Sequence, residues 1–287
     1  MQSIPRWLPL VLLSFAPGVL LGQSSAPSAP PKPPGIQDNS FLIEEAYNQE
    51  EGVVQHISAF TRLWPSGACA YAFTQEWPVN PRPRHQLSYT IPVVNPGGSP
   101  AFTAVGDVIL NYRYQLLGNG SARVAFAPRL SVLLPTGDFR RQLGMGGTGI
   151  QVNLPLSVVV NRKLVTHWNA GTTITPSARN PAGDCATTVG YNLGQSFIWR
   201  VRPRFNGMLE TVWVDVERVT ALGRTTRERV LLLNPGIRWA HNFKSGLQIV
   251  PGIAVPIGVG PSRGEKGIFL YLSFEHPFGK RKNPGAP

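Results

Sequence analysis

The chain has 287 residues and a formal net charge of +12, yet only 15% of its residues are charged, against a soluble norm of about 25%. The positive charge is spread out: Arg140 and Arg141, Arg224, Arg227 and Arg229, Arg263 and Lys266, then Lys280, Arg281 and Lys282. Without a nucleic-acid motif and with an export-type start, that distribution argues against DNA or RNA as a partner, and basic loops facing outer-membrane lipids and lipopolysaccharide fit it better.

In chain order, Met1 to Arg6 form a positive end and Trp7 to Leu21 an apolar run of signal-peptide length. Pro9 and Pro17 interrupt that run, and Gly22, Ser24 and Ser25 supply small residues for cleavage. Residues 1–24 therefore read as a signal peptide, with a membrane anchor as the alternative. Residues 25–37 read as an extended Pro-rich linker. Residues 38–51 are the most acidic stretch, carrying Glu44, Glu45, Glu50 and Glu51. Two readings stand for it: a partial plug in the mouth of the following domain, or a mobile solvated extension.

From residue 52 to 278 the pattern has period two, which puts alternate side chains on opposite faces of a strand. Val108, Leu110, Tyr112, Tyr114 and Leu116 oppose Asp107, Asn111, Arg113 and Gln115. Val189, Tyr191, Leu193, Phe197 and Trp199 oppose Gly190, Asn192, Gly194, Ser196 and Arg200. Such runs last roughly 9 to 14 residues, the length at which a tilted strand crosses a bilayer, and longer than the strands of soluble sandwiches. About twelve runs follow one another, an even number as single-chain bacterial barrels require. The pattern predicts an all-β fold: a closed antiparallel transmembrane β-barrel in the outer membrane, with apolar side chains facing lipid.

Connections predicted as inner turns are short, at 118–120, 161–162, 201–204 and 242–245, whereas those predicted as outer loops, 96–103, 137–147, 179–187, 220–228 and 260–266, are mostly longer. Residues 64–67 are brief for an outer loop and 78–84 long for an inner one. Tyr114, Trp168, Trp199, Phe205, Trp239 and Phe274 fall toward one membrane boundary, as an aromatic belt would. Pro128, Pro155, Pro235, Pro251 and Pro256 cannot donate to a ladder, so bulges or strand ends are expected there.

Residues 267–278 (GIFLYLSFEHPF) look like the C-terminal targeting strand of outer-membrane barrels, here followed by a basic tail at 279–287. Residues 39–57 (NSFLIEEAYNQEEGVVQHI) resemble the opening of a bacterial transporter family named for the meta-pathway of phenol degradation. The likeness continues through GDVILNYRYQL at 106–116, PRLSVLLPTGD at 128–138 and HWNAG at 167–171. The resemblance implies an outer-membrane barrel associated with uptake of small, sometimes aromatic, solutes.

The predicted lumen face carries Asp107, Arg113, Arg129, Asn153, His167, Asn169, Asn192, Arg200, Glu210, Asn234, Arg238, Gln248 and Glu275. That mixed lining with a basic excess suits an open pore with a modest preference for anions, or an interior packed shut by the same groups. Phe269 and Tyr271, unusual on a polar face, either guide apolar solutes or fill space. Cys69 and Cys185 fall near outer loops, where a disulfide across those loops and two unrelated small residues are the alternatives. Lipid hydrolysis would need a Ser nucleophile beside a His base. Ser157 and His167 lie on neighbouring predicted strands, but toward the lumen and outside any nucleophile-elbow motif. His56, His85, His241 and His276 form no metal-ligand pattern, and neither a cofactor nor a metal is implied. A channel for a small-molecule solute and a closed structural or adhesive barrel are the principal alternatives, with an enzyme behind them.

Overall fold

The alternating runs fold into a sheet that returns on itself. The computed structural model describes residues 36, 40–79, 82–97 and 102–277, all within the unit Pro33–Pro287. The signal-peptide reading, the linker apart from Ile36, Phe278 and the tail lie outside the described residues. Twelve strands follow: β1 (Val53–Leu63), β2 (Cys69–Val79), β3 (Arg82–Asn95), β4 (Ala104–Val105 and Val108–Tyr114), β5 (Val124–Phe126 and Arg129–Leu134) and β6 (Gly149–Asn153 and Leu156–Val159). After them come β7 (Leu164–Arg179), β8 (Cys185–Arg202), β9 (Phe205–Ala221), β10 (Arg224–Trp239 and His241–Asn242), β11 (Gln248–Ala254 and Ile257–Gly258) and β12 (Gly267–Pro277). Each pairs antiparallel with its neighbour in sequence, and β1 closes on β12 from Val53↔Pro277 to Leu63↔Gly267. Closure leaves no unpaired edge, which a strand immersed in hydrocarbon cannot tolerate.

Residues paired across antiparallel strands share a face, so one lumen-facing row can be followed round the ring. It runs Gln55, Glu76, Ser88, Asn111, Ser131, Gln151, Thr173, Gly190, Val216 and Glu228. The row starts near the end of the barrel where β1 begins, called here the terminal end, and climbs toward the opposite, loop end on β10. That stagger is the strand tilt a closed barrel needs.

The two faces are inverted relative to a water-soluble protein. Gln55, Ser131, Ser157, Ser196, Glu210 and Asn234 are wholly buried, whereas Leu110, Leu130, Ile150, Leu193, Trp199 and Ile237 are among the exposed large hydrophobics. The greasy face therefore looks outward into lipid and the polar face inward. Trp199, Phe205 and Trp239 all lie toward the terminal end, where Phe205 pairs with Trp239 and Trp199 with Gly207. Toward the loop end the outward face of β9 and β10 changes from Trp213 and Leu231 to Asp215, Glu217, Arg227 and Arg229. The carboxylates of Asp215 and Glu217 accept from those arginines at 2.7 to 3.2 Å, and that change of character marks the upper edge of the apolar belt.

Several connections differ from the sequence expectation. The segment 78–84 is not a long inner loop, because β2 continues to Val79 and β3 starts at Arg82, with the register shift at Pro78/Val79 absorbing the irregularity. The stretch 220–228 is not a long outer loop either: β9 and β10 extend to Ala221 and from Arg224, joined at Leu222 and Gly223 with Gly223 at φ 66°. Ladder hydrogen bonds and the outward ion pairs hold this extension, although its side chains are too polar to read as membrane strand. Breaks fall at Pro128, Pro155 and Pro256, as their missing N–H groups demand. Pro235 and Pro251 instead stay inside β10 and β11, and the Pro235 carbonyl still accepts from Val255 N–H at 3.0 Å.

Candidate functional site

Residues 40–49 (SFLIEEAYNQ) join no strand; they run through the terminal half of the barrel interior. A buried segment without ladder partners must find other acceptors and donors for its backbone, and the lumen side chains supply them. The Glu210 carboxylate accepts from three successive amides, Phe41 at 2.8 Å, Leu42 at 3.0 Å and Ile43 at 3.4 Å, while Asn234 donates to its other oxygen at 2.8 Å. Asn169 clamps Glu44 from both sides, accepting from its N–H and donating to its carbonyl, each at 2.9 Å. Ser157 accepts from Ala46 N–H at 2.7 Å, and Gln115 accepts from Asn48 N–H at 2.9 Å while donating to the Ala46 carbonyl at 2.8 Å. Gln86 accepts from Gln49 N–H at 2.6 Å, and Arg113 donates to the Tyr47 carbonyl at 2.8 Å.

The side chains of this segment are matched as closely. Phe41 lies 5.3 Å from the Phe269 ring centroid and 5.5 Å from that of Tyr271. Its slot exists because Gly236 and Gly252 lack side chains, since a Cβ on Gly252 would stand 2.4 Å from the Phe41 ring. Ile43 fills the space over Gly194 in the same way, and Ala46 packs on Ala125 and Ala127. Glu44 pairs with Arg129 and accepts from Asn153 at 3.2 Å.

Twelve strands about 4.8 Å apart and tilted by roughly 40° enclose a lumen of about 12 Å between facing side chains, and one extended chain with its own side chains, about 10 Å wide, nearly fills it.

The sequence-predicted lining residues fall on the inner face, but they do not share one environment. Arg113, Arg129, Asn153, His167, Asn169, Glu210 and Asn234 surround the segment. Asn192 donates to Asn153 at 3.3 Å, and Gln248 donates to Asn242 at 2.7 Å on the strand pair facing Glu275. Arg238 is buried beside Gly252, and Arg200 is half-buried opposite Asn206. Asp107 lies apart from these and anchors a loop. Its carboxylate accepts from Gly137 N–H at 2.9 Å and Met145 N–H at 2.7 Å, tying the loop 135–148 to β4.

Three expectations need correction. Phe269 and Tyr271 offer no free sliding surface, because Phe41 covers both. Only Glu44 and Glu45 of the acidic stretch enter the interior; Glu50 and Glu51 are exposed where the chain turns at Gly52, φ 77°, into β1. Cys69 and Cys185 are free thiols. They open β2 and β8, strands six places apart on a ring of twelve, and a disulfide tolerates Cα atoms no more than about 7 Å apart.

Sequence reasoning missed Phe41 and Gln86, and it placed Gln115 and Gly194 on the polar face without giving them a role in receiving the segment. The glycine positions Gly194, Gly236 and Gly252, all on lumen faces, were the available signal. His167 Nδ1 lies 2.6 Å from Ser157 Oγ, but the Tyr47 ring stands edge-on to His167 at 5.9 Å and Ala46 N–H occupies the serine. The pair is buried under the segment rather than open to a substrate.

A cavity of about 290 Å³ lies above the segment between Leu42, Glu44, Arg129, Asn153 and Val214, and another of about 590 Å³ occupies the loop end.

Solved structures share this architecture. An outer membrane channel from Pseudomonas putida F1 superposes with a TM-score of 0.55 at 14% identity, covering 81% of this chain and 97% of that one. The NanC porin does so with a TM-score of 0.52 at 9% identity, covering 77% and 98%. The fold is that of an outer-membrane β-barrel. No family model matches the chain and no curated protein matches it, so the more specific likeness to the phenol meta-pathway transporters gains no support from these comparisons.

Proposed function

We propose that this barrel is an outer-membrane channel for passive passage of small solutes, narrowed in its terminal half by residues 40–49. The observation that carries the reading is the division of the interior: cavities toward the loop end, and below them one extended segment held by side-chain hydrogen bonds, an ion pair and aromatic contacts rather than by ladder pairing. A segment bound in that way can leave without unfolding the wall, because none of the wall's strand pairings includes it.

With the segment gone, Arg129 loses Glu44 and the lumen gains positive character, which favours small anions. The sequence resemblance adds small aromatic compounds to the candidate solutes. The exposed arginines above the apolar belt, Arg227 and Arg229, suit contact with lipopolysaccharide phosphates.

Planar-bilayer recording of the mature protein with and without residues 40–49 tests the proposal. The expected result is a small or intermittent conductance for the full chain and a several-fold larger, anion-preferring one for the deletion. The close packing around Phe41 favours one rival, a closed structural barrel, and a deletion variant that folds and stays silent would establish it.

A further inference from the structure

The cavity at the loop end is a built chamber. Its walls come from β1, β2 and β3 on one side and from β7, β9 and β10 on the other, with the loop 139–145 folded against it. That loop is fixed from two directions: Asp107 holds Gly137 and Met145, and the Met145 carbonyl accepts from Arg179 N–H at 2.8 Å. Gly137 and Gly144 are what permit the fold, since a Cβ would meet the Leu143 carbonyl at 2.3 Å in one case and the Asp107 carboxylate at 2.2 Å in the other. A volume of about 590 Å³ is within the range of small-molecule sites.

The lining has two characters. Val94, Leu143, Met145 and Phe139 give it apolar surface, while Arg179 and Arg218 bring two guanidinium groups against one carboxylate, Glu228. Arg218 is paired with that carboxylate. The Arg179 guanidinium lies 5.6 Å from the Phe139 ring centroid and has no carboxylate partner among the described residues. Resting on the ring leaves the in-plane N–H donors at its edge free, and those are the donors that match a carboxylate two at a time.

We propose that this chamber binds small amphipathic carboxylates, with the anionic group on Arg179 and the apolar body against Val94, Leu143 and Met145, while Phe139, which carries both Arg140 at 4.8 Å and Arg179, holds the guanidinium in place. The site deepens the channel reading by naming a solute class, but binding is measured without passage, so the two can fail separately.

Titration calorimetry of the mature protein in lipid nanodiscs, with hexanoate and its neutral analogue hexanamide, decides it. Hexanoate is expected to bind saturably, one per barrel, at least ten-fold more tightly than hexanamide. Arg179→Gln is expected to weaken hexanoate ten-fold or more while leaving hexanamide unchanged. Glu228→Gln, which releases Arg218, is expected to strengthen hexanoate several-fold. Heat-modifiable gel mobility verifies that each variant is a folded barrel. Equal affinity for acid and amide, indifference to Arg179→Gln in a folded variant, or no saturable binding of hexanoate would each overturn the proposal. Binding without any conductance in the segment-deleted barrel would leave the site standing and remove the channel.

Discussion

The terminal and loop halves of the barrel interior draw on the same wall strands, and they end in different states. In the terminal half most lumen strands offer either a hydrogen-bonding side chain at the height of a backbone group of residues 40–49 or a glycine at the height of one of its side chains. Toward the loop half the lumen residues of β9 become Val214 and Val216, which line the cavity above Leu42 and Glu44 instead of holding the segment. The occupant there is instead a loop tethered by Asp107, and it leaves a cavity. Filling the terminal half therefore depends on point-by-point complementarity to a backbone, not on the wall strands, which both halves share.

Substitutions that break this complementarity should have effects in a definite order. Gly252→Leu removes the Phe41 slot; ejecting a buried Phe is worth about 3–5 kcal/mol. The expected result is a channel open more than a hundred-fold more of the time in planar bilayers, with the wall intact. Leu193→Arg places a charge on the lipid face near mid-height and is expected to destabilise the barrel by about 2–4 kcal/mol in a urea titration, without altering single-channel conductance. Together these two variants separate the contents of the barrel from its wall.

Asn169→Ala removes both hydrogen bonds to the Glu44 backbone. An orphaned pair of buried groups costs about 1–3 kcal/mol, so open probability should rise roughly ten-fold, less than for Gly252→Leu. Arg227→Gln, on the exposed face above the belt, should leave conductance unaltered and change melting temperature little, because exposed ion pairs are screened by solvent. If Arg227→Gln opened the pore as strongly as Asn169→Ala, the division between the halves would not explain gating.

Much of the fold was legible because the membrane imposes a rule with a short period. Alternation at residues 107–116 and 189–200 exposes the face to lipid directly, and strands of that kind must close on one another because hydrocarbon leaves an unpaired edge unsatisfied. The interior was less legible. Arg113, Asn169 and Glu210 could be placed on the inner face by parity, but parity says nothing about height, and only height shows that Glu210 meets three amides at 41–43. Residues 40–49 carry no periodic signal, since an extended chain bound by side chains needs no alternation. Their acidity pointed toward a basic lumen, and Glu44 does pair there with Arg129, but the apolar ring of Phe41 on Phe269 and Tyr271 is an anchor that acidity could not announce.

The sequence alone determined which side chains of the wall face hydrocarbon and that about twelve strands follow one another, because alternation and strand length are local consequences of backbone hydrogen bonding in a solvent that supplies none. Which prolines interrupt the ladder it did not determine, since Pro235 and Pro251 stay inside their strands. Tertiary structure decided the interior. Whether Gly236 and Gly252 are gaps or a slot, whether Asp107 lines a pore or ties a loop, and whether two cysteines can meet all depend on distances across the ring. Those distances are set by the stagger of twelve strands acting together and by no short stretch of chain.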